Sequence, residues 1–108
     1  MAEALVVFIT AGSREAASQI AEKLVDEKLA ACVNIIPQIE SIYRWEGKIC
    51  RDQELLLIAK TDRDRYDRLE AAVLAIHSYT TPEVIALPIT CGSAPYLKWL
   101  SDSLAGDD

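Results

Sequence analysis

The chain has little of what most enzymes and secreted proteins need. It carries one histidine and three cysteines in 108 residues. A single imidazole cannot make a tight metal site without other ligands beside it. Cys32, Cys50 and Cys91 are odd in number and far apart, which excludes a disulfide framework and a CxxC redox pair. No GxSxG, Walker loop, HExxH or GxGxxG occurs, so no nucleophile with a positioned base can be named and an enzyme is not expected. Apolar runs stay far below the ~20 residues of a membrane helix. Met1-Ala2-Glu3-Ala4 has no basic leader region, and Leu5 to Ile9 is too short for a signal core. The expectation is a reduced, cytoplasmic setting with no membrane partner. Base is short too. Seventeen acids against eleven Lys and Arg leave a net charge of −6, which repels phosphate backbones and argues against nucleic acid.

What is present is globular: 51% hydrophobic and 26% charged residues, with no repeat, linker or low-complexity tract. The length allows one domain over residues 1–108, with 105–108 as a fraying tail. Leu5 to Ile9 reads as a buried strand. Ser13 is placed to cap a helix from Arg14 to Leu29, with Ala17, Ile20, Ala21 and Leu24 on its apolar face. From Ala31 the period changes to two. Val33, Ile35, Pro37, Ile39, Tyr43 and Trp45 share one parity, and Trp45-Glu46-Gly47-Lys48 reads as a tight hairpin turn. Pairing around that turn sets Ile36 opposite Leu57 and Ile35 opposite Ile58 in a return strand ending near Thr61. Thr61-Asp62 opens a second helix carrying Tyr66, Leu69, Val73 and Ile76. Val84 to Cys91 reads as a strand with Pro88 at an edge or bulge, and Ser93 caps a last helix holding Leu97, Leu100 and Leu104. The order βαββαβ plus a terminal helix predicts an α+β, ferredoxin-like sandwich.

Two features predict association. Leu55 to Ala59 is apolar on both parities, yet two helices cover only one sheet face. A strand from Val33 to Trp45 extends ~43 Å at ~3.3 Å per residue, longer than the ~34 Å diameter of a domain this size. The hairpin therefore overshoots its own body, and its aromatic tip reads as a grip on a neighbour. Pro37 could instead break the strand and fold the arm back.

His77 ends the second helix, where two roles are open to it: interaction with the last carbonyls and the helix dipole, or contact with a ligand, given Tyr79 and Glu83 nearby. A metal there would also need Glu83, Cys91 or groups from another copy. Such a mixed ligand set favours Cu(II) among divalent first-row ions. Each cysteine taken singly reads as a small buried hydrophobe. Asp62 and Asp64 alternate with Arg63 and Arg65 as a solvated helix face. The base-stacking aromatics of RNA-binding sandwiches are replaced by Leu55 to Ile58.

Several blocks together carry a resemblance: Glu27-Lys28-Leu29-Ala30-Ala31-Cys32-Val33-Asn34-Ile35-Ile36-Pro37, Tyr43-Arg44-Trp45-Glu46-Gly47-Lys48, Lys60-Thr61, His77-Ser78-Tyr79-Thr80-Thr81-Pro82-Glu83-Val84 and Tyr96-Leu97-Lys98-Trp99-Leu100. From about Leu5 to Leu104 the chain resembles the CutA divalent-cation tolerance proteins. The resemblance implies a ferredoxin-like protomer in a homotrimer with interlocking hairpins, linked to tolerance of copper and other divalent cations. It also implies an architecture similar to the trimeric PII signalling proteins, which bind small effectors between subunits. Tyr43, Trp45, Leu55, Leu57 and Trp99 are the residues expected between copies. His77, Glu83 and Cys91 are the metal candidates, and Lys60, Tyr79 and Glu83 the candidates for an effector cleft. One departure weakens the metal expectation. The family's proposed copper set uses a cysteine closing the first strand and a histidine pair before Tyr-x-x-Pro-Glu; here the strand ends Phe8-Ile9-Thr10-Ala11, and Ile76 precedes His77.

Overall fold

In a computed structural model, residues 2–105 are described; Met1 and residues 106–108, most of the expected tail, lie outside them. Seven elements follow in order: β1 (Ala4–Ala11), α1 (Arg14–Asp26), β2 (Cys32–Trp45), β3 (Lys48–Asp62), α2 (Arg63–Ile76), β4 (Val84–Pro88) and α3 (Ala94–Leu104). The strands form one four-stranded sheet in the order β2-β3-β1-β4, every neighbouring pair antiparallel. α1 and α2 each connect two strands that have one other strand between them in the sheet, so the two βαβ units interleave.

Period-two alternation builds the core. Leu5, Val7, Ile9 and Ala11 of β1 and Leu57, Ala59 and Thr61 of β3 are buried. Val7, Ile9, Leu57 and Ala59 pack with Ala17, Ile20 and Leu24 of α1 and Leu69 and Val73 of α2. Thr61, polar at full burial, donates through Oγ1 to the Leu29 carbonyl at 2.6 Å, which offsets the cost of burying its hydroxyl. The helices start where the sequence offers caps: Ser13 Oγ accepts from Ala16 N at 3.1 Å, and Asp62 Oδ1 from Arg65 N at 3.0 Å. Asp62 also pairs with Arg65 at 2.8 Å, and Arg65 reaches on to the Leu104 carbonyl at 2.7 Å. That bond ties the end of α3 to the start of α2.

Four expectations are corrected. The first helix ends at Asp26, not Leu29. Lys28 is left-handed (φ 57°), and Leu29 N donates back to Leu24 O at 2.8 Å, a C-terminal motif usually closed by glycine. The last strand stops at Pro88 rather than Cys91: Ile89 N still donates to Ala4 O at 2.9 Å, but β1 begins at Ala4 and offers no partner beyond it, while Pro88 turns its missing N–H to the open edge.

The hairpin register is the third. From Trp45↔Lys48 to Ile39↔Glu54 the pairing is as expected, but a bulge at Pro37-Gln38 adds one residue to β2. Ile36 therefore faces Leu56 and Ile35 faces Leu57.

The fourth concerns the contact surface. Leu57 is fully buried in the protomer's own core and so is not available to a second copy, while Leu55 is half-buried against that core. Their alternates, Leu56 and Ile58, lie on the opposite face.

That opposite face is apolar. Ile36 (41% exposed), Ile85 (53%) and Leu87 (52%) stand on it beside the half-buried Phe8, Leu56 and Ile58. Beyond Leu55, where β1 ends, β2 and β3 pair only with each other and run on as an arm. The longest dimension is 44 Å against 28 and 22 Å for the others, so the arm projects and does not fold back. At its tip Glu46 (φ 50°) and Gly47 (φ 80°) make a two-residue turn left-handed at both positions.

Candidate acidic cleft at the base of the arm

Where the arm leaves the sheet, it faces the segment between α2 and β4 across a cleft of ≈ 690 Å³. Ser41, Tyr43, Trp45, Asp52 and Glu54 line the arm side; Ser78, Tyr79, Thr80, Thr81 and Glu83 line the other, with Thr10 between. Alternation on the arm brings the acids and aromatics together. Tyr43, Asp52 and Glu54 project from one face of the two-stranded ribbon, and the Tyr43 hydroxyl donates to Asp52 Oδ2.

Tyr79 links the two walls. Its hydroxyl donates to Glu54 Oε2 at 2.7 Å, although Glu54 is only 9% exposed. Burial first, and then the bond to Glu54 with that carboxylate's charge, push the Tyr79 phenol well above its usual range. Tyr43 is pushed up to about 12, chiefly because its hydroxyl serves Asp52. Both phenols are therefore neutral donors at physiological pH.

His77 holds Tyr79 in place. Its Nε2 lies 2.7 Å from the Thr10 carbonyl and its Nδ1 accepts from Tyr79 N at 3.2 Å. A carbonyl only accepts and a backbone amide only donates, so the ring is the neutral Nε2–H tautomer. It packs on the Tyr79 ring with centroids 4.6 Å apart. Gly12 completes the seat, since a Cβ there would come within 3.0 Å of Tyr79 Oη.

Of the predicted site residues, Tyr79 and Glu83 line the cleft, while Lys60 does not; it lies further along the sheet and donates to Asn34 Oδ1. His77 stands behind the cleft with both nitrogens engaged. Cys91 is exposed after β4 and is not part of the lining. Among the described residues no three His, Cys, Asp or Glu side chains converge as a metal-holding group. Tyr43 (40% exposed), Trp45 (44%) and Trp99 (45%) are open to a partner. Sequence reasoning missed Asp52, Glu54 and Thr10. The available signal was Glu54 itself, an acid placed directly against the Leu55 to Ala59 run.

Residues 5–103 match the family described as CutA1 divalent ion tolerance protein. The chain belongs to the CutA family. The divalent-cation tolerance protein CutA of Thermus thermophilus is 52% identical over 98 residues, covering 91% of this chain and 95% of that one. The chloroplastic CutA protein of Arabidopsis thaliana is 54% identical over 92% of this chain, which spans only 54% of that longer protein. Among solved structures, the periplasmic divalent cation tolerance protein CutA of Archaeoglobus fulgidus superposes with a TM-score of 0.91 at 42% identity, covering 94% of this chain and 99% of that one. The last two of these relatives are named for a chloroplast and a periplasm. In the present chain no described helix is long and apolar enough to cross a membrane.

Proposed function

We propose that this CutA chain serves divalent-cation tolerance as a cytoplasmic homotrimer, its subunits covering the open sheet face and clasping one another through the arm. The observation that carries the assembly is the apolar face left uncovered by α1 and α2, continuous with an arm exposing Tyr43 and Trp45. Contiguous exposed apolar surface of this kind marks interaction sites. Light scattering tests it: the expected mass is three times the 11.9 kDa chain, and a well-folded single-chain particle at micromolar concentration overturns the reading.

Direct binding of Cu(II) or another divalent ion requires ligands from more than one copy, because His77 is engaged on both nitrogens and lies apart from Cys91. Titration of the metal-free assembly with copper, repeated on His77→Ala, separates this from an indirect role.

A second reading is favoured by the cleft. Its volume lies within the range of small-molecule sites, which supports a trimeric sensor similar in design to PII proteins, with cation tolerance as a downstream response. Ligand-dependent changes in arm mobility, followed by hydrogen exchange, test it.

A further inference from the structure

We infer that the arm is hinged where it leaves the sheet, and that Tyr79 is the latch holding it against the body. The inference rests on the sensor reading only for what the motion would serve.

Three features coincide at the hinge. β1 ends at Ala11 opposite Leu55, so the sheet loses its third strand there and the arm runs on as a two-stranded ribbon. The bulge at Pro37-Gln38 falls at the same level, between the pairs Ile36↔Leu56 and Ile39↔Glu54. A bulge bends its strand and interrupts the ladder. Gln38 is left-handed there at φ 62° without being glycine, a conformation kept only where its surroundings hold it. Two strands alone are marginal in water, so the arm needs a further restraint at its base.

The latch supplies it. The Tyr79 hydroxyl donates to Glu54 Oε2 at 2.7 Å, on the first arm residue past Leu55. Behind Tyr79, His77 Nδ1 accepts from its amide at 3.2 Å while Nε2 donates to the Thr10 carbonyl at 2.7 Å. Thr10 lies next to the end of β1. The series Glu54, Tyr79, His77, Thr10 therefore ties the arm to the very strand that stops beside it, where ladder pairing is missing. Further out, Tyr43 bonds to Asp52 and Arg51 pairs with Glu40, both within the arm. Those contacts stiffen the ribbon and leave its angle to the body free. The arm is one wall of the cleft and the Tyr79 segment is the other, so releasing the latch widens the cleft and uncovers Glu54.

Hydrogen exchange on the assembled full-length protein, with no ligand added, tests this. Copies that clasp the arm through Tyr43 and Trp45 hold its tip, so release of the base shows at the level between. Tyr79→Phe keeps the ring packed on His77 and removes only the hydroxyl, and its melting curve checks the fold. Losing a bond to a charged acceptor should speed exchange about tenfold at Gln38, Ile39, Glu54 and Leu55. The tip, Tyr43 to Cys50, and the body strand, Val7 to Ile9, should keep the parent's rates. Glu54→Ala should give the same pattern, and the double variant no more than either alone. Hinge amides unmoved by Tyr79→Phe overturn the latch, and so do effects of the two substitutions that simply add. Acceleration along the whole arm is fraying and overturns the hinge. Acceleration that reaches β1 is general loosening and overturns both. With no ligand present, each of these failures leaves the sensor reading standing.

Discussion

Tyr79 is the residue on which the cleft turns, because it touches both walls and is held from behind by His77 and Gly12. Two predictions follow from its surroundings. The first concerns alkali. Tyr66, pushed up to about 12 by burial and the neighbouring Glu70 carboxylate, and Tyr79, raised further, both stay protonated in the folded chain above the ordinary phenol value of 10.0. Between pH 10 and about 12 the unfolded chain binds fewer protons than the folded one, so stability falls as pH rises. The contribution is complete below pH 10 and is lost as the folded phenols ionise. Urea unfolding across that window should show the decline, and Tyr79→Phe should flatten part of it. The second concerns Gly12. Alanine there puts a methyl 3.0 Å from Tyr79 Oη and should destabilise by about 1 kcal/mol. In a Tyr79→Phe background the obstructing hydroxyl is gone, so most of that cost should vanish. A double-mutant cycle that returns simple additivity removes the contact from the account.

At the scale of elements, legibility followed the strength of the local signal. Apolar periods and caps are local, so both long helices, the terminal helix and all four strands could be placed from sequence. So could the turn: Glu46-Gly47 was assigned from a single glycine between alternating strands. What could not be read were choices made by backbone conformation in residues that do not advertise it. Lys28 and Gln38 are left-handed, at φ 57° and 62°, without being glycine. The first ends α1 three residues early and the second inserts the bulge that shifts the register of β2. Leu55 to Ala59 is apolar on both parities, and only tertiary packing decides that Leu57 faces the helices while Leu56 and Ile58 do not. The cleft was half legible for a related reason. Tyr79 and Glu83 sit in one short segment, whereas Glu54 joins them only through a contact 25 residues away in sequence. A prediction belongs at this scale. Glu46 holds φ 50° beside Gly47 at φ 80°, the pair of positive angles for which Asn-Gly is favoured. Glu46→Asn should stabilise the arm by about 0.5–1 kcal/mol, seen as slower hydrogen exchange at Tyr43 to Cys50. Faster exchange there contradicts the turn geometry.

The whole molecule presents two apolar faces on one sheet: α1 and α2 cover one, and around Ile36, Ile85 and Leu87 the other stands open. Leu57 and Ile85 make the test, since both are aliphatic and only their faces differ. Leu57 is fully enclosed, so Leu57→Lys buries an ammonium in the protomer core and the chain should fail to fold at any concentration. Ile85 is 53% exposed in the single chain, so Ile85→Lys costs the protomer little. If copies meet across this face, the same lysine is desolvated at the contact, and the variant should be a folded particle of 11.9 kDa by light scattering. The melting temperature of the parent should rise with protein concentration, because association draws on the folded form alone, and that dependence should disappear in Ile85→Lys. An Ile85→Lys variant that keeps the parent's mass and concentration dependence places the contact elsewhere. The arm would then have to hold the copies together through Tyr43 and Trp45 without help from the sheet.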